Sequence, residues 1–138
     1  MTSKLVLDNL AGRTTAGSIT IVGEGNSTTT NLQQGLAKSW ASFDGDASGT
    51  PVFDSFNVSS ISDTDTGIYL HNFSSNMSND DYVVSCACSG DSSSNTMALI
   101  TNYNTHTTAT TGIKTGKTDD FSRLDTPIAH MLIHGDLA

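Results

Sequence analysis

The sequence predicts an all-β protein, an antiparallel β-sandwich knob in residues 36–138 preceded by an extended amino-terminal segment in residues 1–35. Ser, Thr, Asn and Gly make up 61 of the 138 residues, and Asp outnumbers Glu by thirteen to one. Thr favours strands, whereas Asp, Asn, Ser and Gly favour turns, and helix-forming residues are scarce. Short apolar runs also alternate with polar turn clusters at intervals typical of a sandwich of about 100 residues.

The first 35 residues differ from the rest of the chain. Residues 4–10 (KLVLDNL) and 18–22 (SITIV) are predicted as two short strands, and the polar stretch 23–35 follows them. This segment has too few apolar residues to form a core by itself. We therefore expect it to need a partner surface, or further copies of itself, to become ordered.

Seven runs in the remainder are predicted as strands. They are residues 36–43, 52–61, 68–73, 82–89, 96–103, 109–115 and 128–133. The polar clusters 44–51 and 62–67 are predicted as turns between them. Large aromatic residues in such strands are more often core than binding face, and this expectation covers Trp40, Phe53, Phe56, Tyr69, Phe73, Tyr82 and Tyr103. Phe43 and Phe121 lie near strand ends and are expected to be exposed.

The charge and the apolar pattern exclude several classes of protein. The net charge is −8, and the six basic residues are scattered, which argues against nucleic-acid binding. No apolar run approaches the ~20 residues that cross a bilayer, and the amino terminus lacks a signal-peptide pattern, so neither membrane insertion nor secretion is expected. Four Asn-x-Ser/Thr sequons are therefore interpreted as unglycosylated.

No motif points to catalysis, a cofactor or a metal ion. The sequence has no nucleophile elbow, no P-loop and no dinucleotide-binding fingerprint. His130 and His134 are four residues apart, which on a strand places them too far from each other to share a metal. Asp63 and Asp65 resemble a calcium loop only in composition, and turn chemistry is the better interpretation.

The two cysteines, Cys86 and Cys88, lie in one predicted strand. On a strand they share a face, with Cα atoms roughly 6.5–7 Å apart, at or beyond the usual limit for a disulfide. They are interpreted as small buried apolar residues. A bridge between them and a metal site remain the alternatives.

Three stretches of the chain resemble a domain of tail-fibre and other virion structural proteins of bacteriophages, especially phages of marine bacteria. Residues 35–45 (GLAKSWASFDG) are similar to the family's opening GxAKAWVNFNG. Residues 54–73, which begin DSFNVSSI and end YLHNF, resemble DSFNVSSITDxGTGxYTVNF, and this middle motif is the specific one. Residues 77–84 are similar to AMPxxxYAVV. The chain departs from the family at Ser78, where a proline is usual, and in its ending, residues 127–136, which is interpreted as the family's YVSVAVFG-like final strand with polar substitutions.

The resemblance implies a virion structural protein that forms a homotrimer and is not an enzyme. Its short length implies a head fibre, a decoration spike or a small tail fibre, made in the host cytoplasm and located on the virion surface. The amino-terminal segment would attach to phage capsid or tail proteins, with residues 28–31 as a flexible joint. The apolar residues expected to anchor it are Leu5, Val6, Leu7, Leu10, Ile19 and Ile21.

The knob would then contact the host, with a cell-surface glycan as the expected ligand and Phe43 and Phe121 as the candidate contact residues. A carbohydrate-binding module is the alternative function. An enzyme such as a depolymerase is the least favoured class, because such fibres are usually much longer and no pair of catalytic residues stands out. The sequence predicts no catalytic, cofactor-binding or metal-binding residue.

Overall fold

The computed structural model describes most of the chain. The described residues are 4–12, 18–23, 25–90 and 106–138. They divide into two compact units, Met1–Leu36 and Ala37–Ala138. The strand predicted at 96–103, with Tyr103, lies outside the described residues.

The first unit contains a small hairpin followed by one helical turn. Strand β1 (Thr20–Val22) pairs antiparallel with β2 (Thr29–Asn31), and α1 (Leu32–Gly35) begins directly after it. The Asn31 side chain caps this turn, because its Oδ1 accepts hydrogen bonds from two backbone N–H groups of α1. Residues 4–10 form no strand, and residues 28–31, predicted as a flexible joint, belong mostly to β2. No described residue of this unit is buried.

The second unit is an antiparallel β-sandwich, as predicted. Its strands are β3 (Ser39–Phe43), β4 (Val52–Phe56), β5 (Val58–Asp65), β6 (Ile68–Phe73), β7 (Val83–Ser89), β8 (Thr110–Lys114) and β9 (Ile128–His134). One sheet has the order β4-β3-β9-β7 and the other β5-β6-β8. The predicted strands at 68–73, 82–89, 109–115 and 128–133 are thereby confirmed to within one or two residues.

A single residue connects β4 in one sheet to β5 in the other. Asn57 lies between β4 and β5 with a φ of 56°, a conformation that Asn adopts more readily than most residues. Its side chain fixes the corner, because Oδ1 accepts from the Ser75 N–H at 2.7 Å and Nδ2 donates to the Lys38 carbonyl at 3.0 Å. The prediction of one strand over 52–61 is therefore wrong, and two strands in different sheets take its place.

The hairpin between β5 and β6 is tighter than predicted. Strand β5 extends through Asp63 to Asp65, so the turn predicted at 62–67 shrinks to Thr66 and Gly67. Gly67 has a φ of 63°, and a Cβ there would lie 2.4 Å from the Thr115 carbonyl oxygen. Only glycine fits this position without displacing backbone.

The core lies between the two sheets. Its buried members are Ala41, Phe43, Ile61, Tyr69, Phe73, Met77, Tyr82, Ile113, Ala129, Met131 and Ile133. The Phe43 and Tyr69 rings pack edge to face with centroids 5.2 Å apart, and Tyr82 packs edge to face on Phe73. The core role predicted for Tyr69, Phe73 and Tyr82 is confirmed.

Three other aromatic predictions fail. Phe53 and Phe56 are 58% and 49% exposed, and Trp40 is half-buried rather than part of the core cluster. All three belong to β3 and β4. In β3 the inward positions are taken by Ser39, Ala41 and Phe43, so strand alternation turns Trp40 outward.

Candidate functional site

The outer face of the four-stranded sheet carries an apolar row across three strands. Trp40 on β3 pairs directly with Phe56 on β4 and with Leu132 on β9. Directly paired residues point to the same side of a sheet, so the three side chains lie next to one another. Leu132 is 38% exposed and Phe56 more so, which leaves this row open to a ligand. We call Trp40, Phe56 and Leu132 the aromatic row.

A polar row runs beside it on the same face. The register pairs Ser42 with both Asp54 and His130, one outward position along from the aromatic row. Asp54 and His130 are exposed and Ser42 is half-buried. A carboxylate, an imidazole and a hydroxyl can each hydrogen-bond to a ligand hydroxyl. The face therefore combines flat apolar surface with hydrogen-bonding groups.

The same face descends into a shallow depression toward β7. Its volume is about 250 Å³, and it is lined by Ser85, Cys86, Ala87, His130, Met131 and Leu132. The outward side chains of β7 at this point are the small Ser85 and Ala87, which pair with Leu132 and His130. The outward side chains thus become smaller across the sheet, from bulky ones on β3 and β4 to small ones at this part of β7.

The two residues predicted to contact a glycan differ in exposure. Phe43 is fully buried, so its prediction as an exposed contact is wrong; it points inward on β3, where it packs against Tyr69. Phe121 is 70% exposed in the loop between β8 and β9, with a φ of 58° that is unusual for a bulky residue. The preceding Asp120 accepts hydrogen bonds from the Ser122 N–H and hydroxyl. Phe121 is no part of the aromatic row.

The residues predicted as anchors are mostly exposed. Leu5, Val6, Leu7, Leu10 and Ile21 are all at least half exposed, and Ile19 is half-buried. Burying such side chains against a partner would remove apolar surface from water, which stabilises by about 25 cal/mol per Å². Their exposure leaves them available to a partner.

A buried Ser–His pair lies inside the sandwich. Ser39 Oγ is 2.7 Å from His71 Nε2 and 3.1 Å from the carbonyl oxygens of Phe56 and Asn57. Because a carbonyl only accepts, we assign the Ser39 hydroxyl as donor to the backbone and His71 Nε2–H as donor to Ser39. The other ring nitrogen, Nδ1, has no hydrogen-bond partner among the described residues. Both side chains are fully buried, so the pair cannot present a nucleophile to a substrate.

Burial makes His71 sensitive to acid. It lowers the pKa of the imidazole from 6.5 to about 4. The unfolded chain therefore takes up a proton first, so the stability from neutral His71 is complete above pH 6.5 and is lost as the pH falls toward 4. We expect a loss of about 3 kcal/mol in the free energy of unfolding over this range, measured by urea denaturation at several pH values.

Two variants test whether His71 causes this pH dependence of stability, and the carboxyl groups with shifted pKa values act at a lower pH. His71→Leu should flatten the stability profile between pH 6.5 and 4, since Ser39 keeps its backbone partners, whereas His130→Gln on the exposed face should preserve the slope. Hydrogen bonds from Arg123 and Ser122 hold the pKa values of Asp65 and Asp120 below 3.8, so their contribution is lost only at lower pH. An unchanged slope in His71→Leu would contradict the assignment.

Tyr69 anchors a second polar cluster at the end of the sandwich. Its hydroxyl donates to Asp125 at 3.0 Å, and the same carboxylate oxygen accepts the Gly67 N–H at 2.6 Å. Burial, followed by the neighbouring Asp125, raises the pKa of Tyr69. The cluster ties the β5–β6 turn to the segment before β9, and its role is structural.

The cysteines are free and half-buried. Cys86 and Cys88 point inward on β7 and pack against the core, as predicted for small apolar residues, and no disulfide joins them. Burial raises the pKa of the Cys86 thiol to about 12 and also raises that of Cys88, which makes both poor nucleophiles. Within residues 4–12, 18–23, 25–90 and 106–138, no three His, Cys, Asp or Glu side chains are grouped to hold a metal ion.

The fold places the chain among antiparallel β-sandwich proteins. Comparison of the chain with protein-family models, curated proteins and solved structures finds no match. In the part of the chain that the structure describes, no helix has the length and apolarity to span a membrane.

Proposed function

We propose that the chain is a non-enzymatic structural protein of a phage virion, a short trimeric fibre that attaches through its first unit and displays the sandwich for adhesion to the host surface. It would be a head fibre, a decoration spike or a small tail fibre on the virion surface. Its partners would be two further copies of itself and a capsid or tail protein. The resemblance to phage fibre domains supplies the virion context of this proposal.

The observation that carries the proposal is the exposure of the amino-terminal apolar residues. Leu5 and Val6 are 80% and 73% exposed, and the described part of their unit has no buried residue. A domain stable on its own normally buries such side chains. Exposed apolar surface of this kind is typical of a segment completed by a partner or by other copies of the chain.

The resembling motifs also coincide with positions that shape the sandwich. The middle motif contains Asn57, which forms the corner between the sheets, and Gly67, which forms the tight turn. It also contains Tyr69 and Phe73 of the core. The resemblance therefore concerns residues that build the fold, which supports a shared sandwich more strongly than a shared receptor.

The first test is the assembly of the purified full chain. Light scattering should give a trimer of about 43.5 kDa, three times the 14.5 kDa of one chain. Replacing Leu5 and Leu7 by Ser should weaken the trimer or its attachment, because it removes apolar contact area. The matched control replaces the neighbouring Asp8 by Asn and Asn9 by Ser, and should leave assembly unchanged.

The second test is the location of the chain on particles. Mass spectrometry of purified particles of the virus that encodes it should detect the chain, and labelled antibodies should mark its position in electron micrographs. Absence of the chain from particles would overturn the virion role. A monomer in solution, together with unchanged attachment of the Leu5→Ser, Leu7→Ser variant, would overturn the role of the first unit.

A further inference from the structure

We propose that the outer face of the four-stranded sheet is a binding site for an uncharged oligosaccharide. In this site the aromatic row stacks against sugar rings, and Asp54, His130 and Ser42 hydrogen-bond to their hydroxyls. The proposal deepens the proposed function by naming the class of ligand that the knob binds. It rests on the proposed function in one respect only, that the glycan comes from the host surface. The site itself is defined by residues of the sandwich.

The spacing of the rows matches an extended ligand. Trp40 and Phe56 are directly paired on neighbouring strands, where Cα atoms lie about 4.5–5.5 Å apart. The line from Phe56 through Trp40 and Leu132 to Ser85 crosses four strands, or about 14 Å at the usual strand spacing. The polar row lies two residues further along each strand, about 7 Å away. A ring on the aromatic row therefore has its edge hydroxyls within reach of the polar row.

The amount of apolar surface favours a sugar over a protein partner. A stable protein interface buries roughly 800 Å² on each partner, and its core is poor in charged residues. Val83 and Ile128 also face outward on this sheet and are 65% and 39% exposed. Aromatic side chains bury at most 150–250 Å² each, so even these five partly exposed apolar residues together offer only on the order of 400 Å². A charged carboxylate and an imidazole border them directly. A sugar ring, with one apolar C–H face and polar edges, suits this mixture.

Charge selects among glycans. The exposed Asp54 carboxylate lies beside the row, and the whole chain carries a net charge of −8. Both would repel carboxylates or sulfates on an acidic polysaccharide. The site therefore suits neutral sugars, whose hydroxyls can donate to Asp54. The shallow depression beside Leu132 and His130 gives the glycan room to continue over β7.

The single tryptophan makes binding directly observable. Trp40 is the only Trp in the chain and lies in the middle of the proposed site, so its fluorescence reports on this face alone. The purified full chain should be titrated with soluble mannan, β-glucan and galactan as neutral probes and with alginate as the acidic probe. We expect one neutral probe to shift the Trp emission and to protect it from acrylamide quenching, with no effect from alginate.

Variants locate the binding. Phe56→Ala should weaken the binding of that neutral probe at least tenfold, measured by affinity electrophoresis, because it removes the most exposed side chain of the aromatic row. Phe121→Ala, an exposed aromatic in a separate loop, is the matched control and should bind normally. Circular dichroism and thermal melting of both variants establish that they remain folded.

Each outcome decides the proposal. Failure of all three neutral probes would overturn it, and so would loss of binding in Phe121→Ala with Phe56→Ala unaffected. Self-association that Phe56→Ala abolishes would identify a second copy as the occupant and would also overturn it. The titration uses isolated protein, so a failure to bind sugar would not contradict the virion role. Conversely, sugar binding by a protein that is absent from virions would still support the binding site.

Discussion

Replacing Gly67 by Ala is expected to destabilise the sandwich by about 2–5 kcal/mol. An L-residue at a positive φ costs roughly 1–2 kcal/mol, and overpacking adds about 1–3 kcal/mol. The added Cβ would lie 2.4 Å from the Thr115 carbonyl oxygen and 2.9 Å from the Leu124 nitrogen. These are backbone atoms, which cannot rotate away as a flexible side chain can. Urea denaturation monitored by circular dichroism would measure the loss.

Gly49→Ala is the matched control for the steric part of this effect. Gly49 also has a positive φ, 83°, but a Cβ there meets no atom within 4 Å. Its substitution should cost only the conformational part, roughly 1–2 kcal/mol. If Gly67→Ala destabilised no more than Gly49→Ala, the close approach of the β5–β6 turn to Thr115 and Leu124 would be refuted.

Replacing Phe43 by Ala should cost about 3–5 kcal/mol, the usual range for deleting a buried aromatic side chain. Phe43 is fully buried between the sheets and packs against Tyr69, so its removal leaves a cavity that the β3 backbone cannot close. Its ring also positions Tyr69, whose hydroxyl holds Asp125 and through it the turn at Gly67. The loss would appear as a lower denaturation midpoint with an unchanged slope.

Phe53→Ala provides the comparison within the same sheet. Phe53 lies on β4 and is more than half exposed, so its truncation should change the free energy of unfolding by no more than about 0.5 kcal/mol. Equal losses in the two variants would mean that the assignment of inner and outer residues in this sheet is wrong. The sequence alone would have predicted the opposite order of effects.

Sequence patterns predict where strands occur better than which face each strand buries. Alternation is a local property, and the run at residues 68–73 coincides with β6. In β3, however, both Trp40 and Phe43 are large and apolar, and they point to opposite sides. The choice of inner face depends on pairing with β9, almost ninety residues further along the chain. That register is not visible in the local pattern, so the pattern predicts Phe43 outside and Trp40 inside.

The corner at Asn57 shows a signal that could have been used. Alternating apolar residues continue from Val52 to Val58 across it, which suggests one long strand. The signal is the residue type itself, because Asn is, after Gly, among the residues that most readily adopt a positive φ. The hydrogen bonds of its side chain to the backbone of Ser75 and Lys38, which are far apart in the chain, could not be predicted from residue spacing.

The candidate binding site could not be predicted from the sequence for the same reason, because it depends on which strands pair. From the sequence, Trp40 and Phe56 are expected in the core, and the glycan contacts are expected at Phe43 and Phe121. The aromatic row exists only because β4, β3 and β9 are neighbours in one sheet. Its polar companions, Asp54 and His130, are 76 positions apart and carry no motif. Topology, rather than composition, brings these groups together.

Strand β3 also determines how the sandwich would respond to a pulling force. It is the first strand after the amino-terminal unit, yet it lies inside its sheet and is hydrogen-bonded to β4 on one side and β9 on the other. Because ladder hydrogen bonds are perpendicular to the strands, tension along β3 shears both ladders together instead of opening them one bond at a time. A chain held at its amino end and pulled from its knob would thus transmit the load into a strand that is hydrogen-bonded on both sides.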